Sequence, residues 1–195
     1  MSASERVQLR KRETGELASL ACAIDPVESD IVISYGDLLF RSYVLRDLVE
    51  SKAEFSVVVD SLMGEDSNHT VRDFAFCSRG DDRGLFGKPV LLKRVSSSAD
   101  AVSSAEPQLA PNGRWIGVLN ASQAGVIRLK AQLAILRQRP DFDRLDMPAL
   151  LNALIADGAA IEVLYVHGHW RGVNDLDDLR RAVDFAHAQT PLGDD

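Results

Sequence analysis

The stretch Ile33-Ser34-Tyr35-Gly36-Asp37 constrains this chain most, because an apolar, β-branched run that ends in Tyr-Gly-Asp delivers a carboxylate to the tip of a strand. Within residues 27–40, Ile31, Val32 and Ile33 follow a polar stretch and read as a buried strand of the parallel type over 31–36, with Gly36 letting the backbone bend close to a ligand. In open α/β sheets ligands sit just beyond the carboxyl ends of strands, which is where Asp37 falls. Two readings of Asp37 stay open on spacing alone: a metal-holding carboxylate, or the cap of a following helix, since residues 38–51 are amphipathic.

The remaining pattern alternates in the way an α/β protein requires. Residues 13–23 read as a helix with Leu17, Leu20 and Ala21 on one face and Pro26 closing it, and residues 41–52 as a second helix. Residues 54–60 form a second buried strand centred on Val57, Val58 and Val59, so that 31–60 is a βαβ unit. Residues 61–111 are rich in Ser, Gly, Asp and Arg and are expected to be a mobile insertion with short strands near 71–77 and 89–95. The core then resumes with a strand at 115–120, a helix at 123–139, a helix at 147–157 with Asp146 as N-cap and Gly158 as its stop, and a strand at 160–166. A final helix over 176–188 would turn Leu176, Leu179, Ala182, Val183 and Ala186 inward. Residues 1–12 are expected to be a flexible leader and 189–195 a disordered tail.

Composition excludes several classes. A chain of 195 residues, 46% hydrophobic and 26% charged, suits a single domain of residues 13–188 with a sizeable core. A net charge of −7 argues against a nucleic-acid footprint, which needs a basic patch. No apolar run approaches the roughly 18 residues of a membrane span. Cys22 and Cys77 lack metal spacing, which fits a reducing cytoplasm better than a disulfide scaffold.

Five blocks in order carry a family resemblance: Thr14-Gly15-Glu16-Leu17-Ala18-Ser19-Leu20, then Ile33 to Arg41, Phe55 to Ser61, Gly113 to Leu119, and His167 to Leu179. Over residues 13–187 the chain resembles the sugar-phosphate nucleotidyltransferases, and more narrowly the cytidylyltransferase-like domain fused to phosphoenolpyruvate mutases in phosphonate biosynthesis. The resemblance implies an α/β fold, a mostly parallel mixed sheet flanked by helices, and transfer of a cytidylyl group from CTP to a small phosphonate such as 2-aminoethylphosphonate, with Mg²⁺. The Gly-rich loop with which such folds normally begin, and which cradles base and phosphates, is not found in this sequence. The match is therefore to the later part of the domain, without the N-terminal nucleotide-binding half.

The same resemblance assigns roles. Hard cations want oxygen ligands, and Asp37 is the first candidate. The second is expected in the loop 169–175. The phosphonate-associated relatives place a carboxylate where Gly172 stands here, whereas Gly172-Val173-Asn174 is similar to a block of the N-acetylglucosamine-1-phosphate uridylyltransferases whose Asn is a metal ligand. Asn174 is thus the expected partner of Asp37, with Asp175 the weaker alternative. Arg171 is the candidate phosphate clamp. Glu16, Asp60 and His169 are candidate substrate contacts, with an exposed helix surface, a strand terminator and plain loop structure as their respective alternatives. His167 and His169 lie two apart on one strand face, but with no Cys or third His nearby a zinc site is the lesser reading. Trp115 and Trp170 read as packing residues and Lys88, Lys93 and Arg94 as solvated strand flanks.

A soluble homo-oligomer, or a partner chain that supplies the missing half, is expected from the edge that β-branched runs 31–33 and 57–59 would expose. The alternative is a non-catalytic remnant that binds a partner or oligomerises. A glycosyltransferase fits less well, since no Asp-x-Asp follows the strand.

Overall fold

The strand Phe55–Asp60 (β3) is buried at every position, and the rest of the chain is arranged around it. In the computed structural model the described residues are 15–62, 73–82, 88–97 and 110–187. The leader 1–12, the tail 189–195 and much of the insertion 61–111 lie outside them.

Helix Glu16–Ala23 (α1) leads into strand Ile31–Ser34 (β1), a short strand Leu38–Phe40 (β2), helix Ser42–Glu50 (α2) and β3. Strands Phe74–Cys77 (β4), Leu92–Ser96 (β5) and Gly113–Ala121 (β6) follow, then helices Gln123–Leu136 (α3) and Met147–Ala156 (α4). Strands Ile161–Val166 (β7) and Trp170–Gly172 (β8) and helix Leu176–His187 (α5) complete the order. The main sheet runs β5-β4-β6-β3-β7, with β1 also on β6, and β2 pairs with β8 as a separate ribbon.

The α/β class with flanking helices is as expected, and the sheet is mixed. Its parallel share is smaller than expected: β3 and β7 are parallel, whereas β6 is antiparallel to β1, β3 and β4. The reason is connectivity. Parallel neighbours need a crossover, but β6 enters beside the end of β3, with Arg114 opposite Asp60, and runs back along it. β1 and β3 therefore share a direction but have β6 between them, a split form of the expected βαβ unit.

Side chains alternate across this sheet. Phe55, Val57 and Val59 face a core built with Leu17, Leu129, Leu133, Leu150 and Leu154 of α1, α3 and α4. Val58 faces a second cluster with Val44, Leu48, Ile116, Val118 and Trp170. Helix starts follow local chemistry: the Ser122 hydroxyl accepts from Gly125 N at 3.3 Å, and Asp146 Oδ1 from Ala149 N at 2.9 Å, as its capping role predicts.

Sheet edges also depart from expectation. β3 is interior, so residues 57–59 present no open edge. The outer edge of β7 is met by the chain before β5, where Val163 N donates to Val90 O at 2.9 Å and Leu91 bridges Glu162. On β5, the Asn152 side chain accepts from Val95 N at 2.9 Å and donates to Val95 O at 2.8 Å, standing in for a neighbouring strand. The final helix is corrected too. Ala182 is buried, but Leu176, Leu179 and Val183 are exposed, because α5 packs beside the small β2–β8 ribbon rather than on the main sheet. No helix among the described residues is long and apolar enough to cross a membrane, and Cys22 and Cys77 are both free.

Candidate active site

Asp37 does not cap a helix. After the turn at 36–37 the chain forms β2, and α2 begins only at Ser42 with Arg41 in the cap position. The turn is held from two sides: Tyr35 N donates to Gly117 O at 3.0 Å, and Val173 N to Asp37 O at 2.8 Å. Pairing of Leu38 with Gly172 then brings the loop after β8 to the strand tip. Asp37, Asn174 and Asp175 consequently line one cavity of about 510 Å³, beyond the ends of β1 and β8, where an α/β sheet offers a ligand site.

Gly172 belongs to this arrangement. A Cβ at that position would lie 3.2 Å from the Asn174 amide nitrogen, so the side chain that resemblance expects at 172 would crowd the residue nominated in its place. The Asn174 amide nitrogen faces Asp178 at 3.4 Å, and Asn174 N donates to the same carboxylate at 3.1 Å. Asp178 thereby orients the Asn174 side chain.

The wall formed by α1, β1 and the residue before β4 is acidic and linked by a tyrosine. The Tyr35 hydroxyl lies 3.2 Å from Glu16 Oε2 and 3.3 Å from Asp73 Oδ2, and Glu16 Oε2 also accepts from Met147 N at 2.9 Å. Burial, followed by the charges of Glu16 and Asp146, raises the Asp73 carboxyl to about 6. Burial beside the same carboxylates pushes the Tyr35 phenol far above its ordinary range, so it stays a neutral donor. The Tyr35 ring is seated by Gly117, whose φ of +87° and missing Cβ leave room for it, and it meets Trp115 at 5.4 Å between centroids.

Arg114 is the single cation among the described residues lining this cavity; its guanidinium lies 4.6 Å over the Trp170 ring. Arg171 and His169 are elsewhere. Both line a second cavity of about 260 Å³ with Arg181 and Phe185, next to the one that Asp37 lines. The two cavities adjoin: Arg114, Trp170 and Gly172 line both, whereas Arg171 lines only the second.

Asp60 and His169 have structural partners. Asp60 is buried, with Oδ1 accepting from Leu62 N at 3.0 Å and Gly168 N at 2.9 Å, and Oδ2 from Trp170 Nε1 at 2.8 Å. It clamps the turn between β7 and β8. His169 adopts φ +65° in that turn, with Nδ1 2.6 Å from the Tyr43 hydroxyl. His167 Nε2 meets Asp81 at 2.6 Å, so the two histidines diverge. No group of three or more His, Cys, Asp or Glu among the described residues is placed to hold a metal. Trp115 and Trp170 pack as expected, their indole N–H groups donating to Val118 O and Asp60.

Sequence reasoning missed Asp73 and Arg114. Asp73 falls inside the short strand expected near 71–77, where nothing in the spacing marks it as a site residue. Arg114 carried a signal, a charge directly before the apolar run Trp115 to Leu119, which a strand tolerates where that charge finds a partner or a cavity.

No protein-family model matches the sequence, and no curated protein matches it at the sequence level. Solved structures do. The fold over nine-tenths of the chain is that of nucleotidyltransferases. It is similar to an inositol-1-phosphate CTP transferase from T. maritima, with TM-score 0.62 and 15% identity over 91% of this chain and 63% of that one. It is similar also to a putative glucose-1-phosphate thymidylyltransferase from Bacillus anthracis, with TM-score 0.60 and 13% identity over 94% and 65%. A CTP:phosphocholine cytidylyltransferase from Streptococcus pneumoniae matches with TM-score 0.56 and 10% identity over 91% and 66%. The chain thus spans less than two thirds of the length of each.

Proposed function

We propose that this chain carries the acceptor and metal side of a cytidylyltransferase, which joins the CMP part of CTP to a small phosphonate or phosphorylated acceptor and releases pyrophosphate. The observation that supports it most is the convergence of Asp37 and Asn174 on one cavity of a nucleotidyltransferase-type fold. The acceptor oxygen would attack the α-phosphorus, and a bound Mg²⁺ would offset charge on the equatorial oxygens and the leaving pyrophosphate.

The donor set fits that ion. Asp37 and Asn174 offer a carboxylate and an amide, both exposed to the cavity. With no three-acid cage among the described residues, phosphate oxygens and water would complete the shell, the usual habit of Mg²⁺. Arg114 is placed to steady the acceptor's anionic end, a role this reading moves from Arg171. The phosphonate assignment rests on the resemblance of the motif blocks. A cytoplasmic location agrees with two free cysteines.

The Gly-rich nucleotide loop is not found in these 195 residues, so the test is pyrophosphate release from CTP, 2-aminoethylphosphonate and Mg²⁺, with and without a polypeptide carrying that loop. The expected result is release that requires the added polypeptide and is abolished by Asp37→Ala. Release by neither mixture, with no CTP binding by calorimetry, would refute the reading in favour of a non-catalytic binding or oligomerisation domain.

A further inference from the structure

We propose that the Asp73 end of the first cavity binds a small organic ammonium group, the cationic end of the acceptor. Only the word acceptor rests on the transfer reaction proposed above; the site itself rests on a deficit of donors. Asp73 is 8% exposed, and its Oδ1 has no hydrogen-bond partner among the described residues. Its Oδ2 shares one phenolic proton, that of Tyr35, with Glu16. A hydroxyl has a single hydrogen to give, so two carboxylates compete for it. Met147 N makes up the shortfall at Glu16, and no donor among the described residues does so at Asp73 Oδ1.

Buried carboxylate oxygens left unmatched are rare and point to a missing partner. The cavity specifies the kind. Glu16, Asp37, Asp73, Asp146 and Asp175 set five carboxylates against Arg114, so the walls repel a bare anion and favour a cation that brings its own N–H donors. A metal held by the protein alone is disfavoured, because no three acids among the described residues are grouped for one. The half-buried Tyr35 ring, backed by Trp115 at 60°, adds aromatic surface of the sort that attracts ammonium groups. The raised Asp73 carboxyl agrees: it marks a charge that the protein by itself compensates poorly. Arg114, in the same cavity, would take the opposite end of a zwitterion.

The test compares three probes on the full chain without nucleotide: 2-aminoethylphosphonate, ethylphosphonate, and ethylamine, which is cationic at neutral pH. Calorimetry or amide NMR titration should show 2-aminoethylphosphonate binding at least about tenfold more tightly than ethylphosphonate, a difference of about 1.4 kcal/mol. Ethylamine should perturb the amides around Tyr35. Asp73→Asn should abolish that preference and leave ethylphosphonate affinity unchanged. If that variant does not fold, as read by circular dichroism, Glu16→Gln should narrow the preference in the same direction. Equal affinity for the two phosphonates, or no saturable response to ethylamine, overturns the proposal. Because CTP is absent, this outcome is independent of whether the chain supports pyrophosphate release.

Discussion

Replacing Gly117 by alanine tests how the acidic wall is held in place. A Cβ at this position would lie 2.1 Å from Tyr35 Cδ2 and 2.7 Å from Cε2, far inside van der Waals contact, and the φ of +87° is one that alanine adopts only under strain. The backbone term is about 1–2 kcal/mol. Overpacking against a ring wedged between Trp115 and two carboxylates adds about 1–3 kcal/mol. The sum, about 2–5 kcal/mol, corresponds to a fall in melting temperature of about 4–20 °C for a chain of this size. Urea unfolding followed by circular dichroism measures it. The decisive arm is a double-mutant cycle with Tyr35→Ala, which removes the clash but not the backbone strain, so the two changes should couple by about 1–3 kcal/mol. A Gly117→Ala loss below about 1 kcal/mol, or strict additivity, would show that the ring is not seated by this glycine.

Three further outcomes follow from individual residues. The Asp73 carboxyl lies near 6 in the fold, above its unfolded value, so the native state binds the extra proton and the residue's contribution to stability falls as pH rises from about 4 to 6. Asp73→Asn should therefore stabilise the chain at pH 7, by up to about 3 kcal/mol, with the gain vanishing near pH 4 in urea melts; a gain that grows on acidification would contradict this. Asp60→Ala strands three N–H donors and should cost about 3 kcal/mol with a shift in Trp170 fluorescence, while Asp60→Asn, which keeps one acceptor, should cost less. Leu179→Gln and Val183→Gln should each change the unfolding free energy from urea melts by no more than about 0.5 kcal/mol, since both side chains are about half exposed.

What could be read from the sequence was whatever depends on local pattern. The β-branched runs at 31–33 and 57–59, the Asp146 cap and the Gly158 stop each specify their element within a few residues, and the structure has them where the pattern puts them. Strand direction and neighbour order depend on which distant segment arrives first, so β6 slipping between β1 and β3 carries no local mark. The ribbon of Leu38–Phe40 and Trp170–Gly172 was invisible for a related reason: each strand has three residues, and the apolar spacing of 38–51 imitates a longer helix. In the candidate site, Asp37, Asn174 and Glu16 were found through motif and resemblance and do line one cavity. That Arg171 lines the neighbouring cavity instead is set by tertiary packing, and Asp60 is a clamp because the Trp170 indole reaches it.

The central strand has a bearing on how this chain acquires its shape. Val57 is paired with Leu119 on one side and with Val163 on the other, and Val90 and Leu91 reach the far edge of β7 at residues 162–163. None of those partners lies near Val57 in the chain. During synthesis this fully buried strand therefore emerges early and stays without one of its two neighbours until residues beyond 160 have left the ribosome. High contact order of this kind slows folding and leaves a sticky segment uncovered meanwhile. A shortened chain that stops before β7 should be captured by chaperones at the 55–60 segment, since β7 is what covers that side of β3.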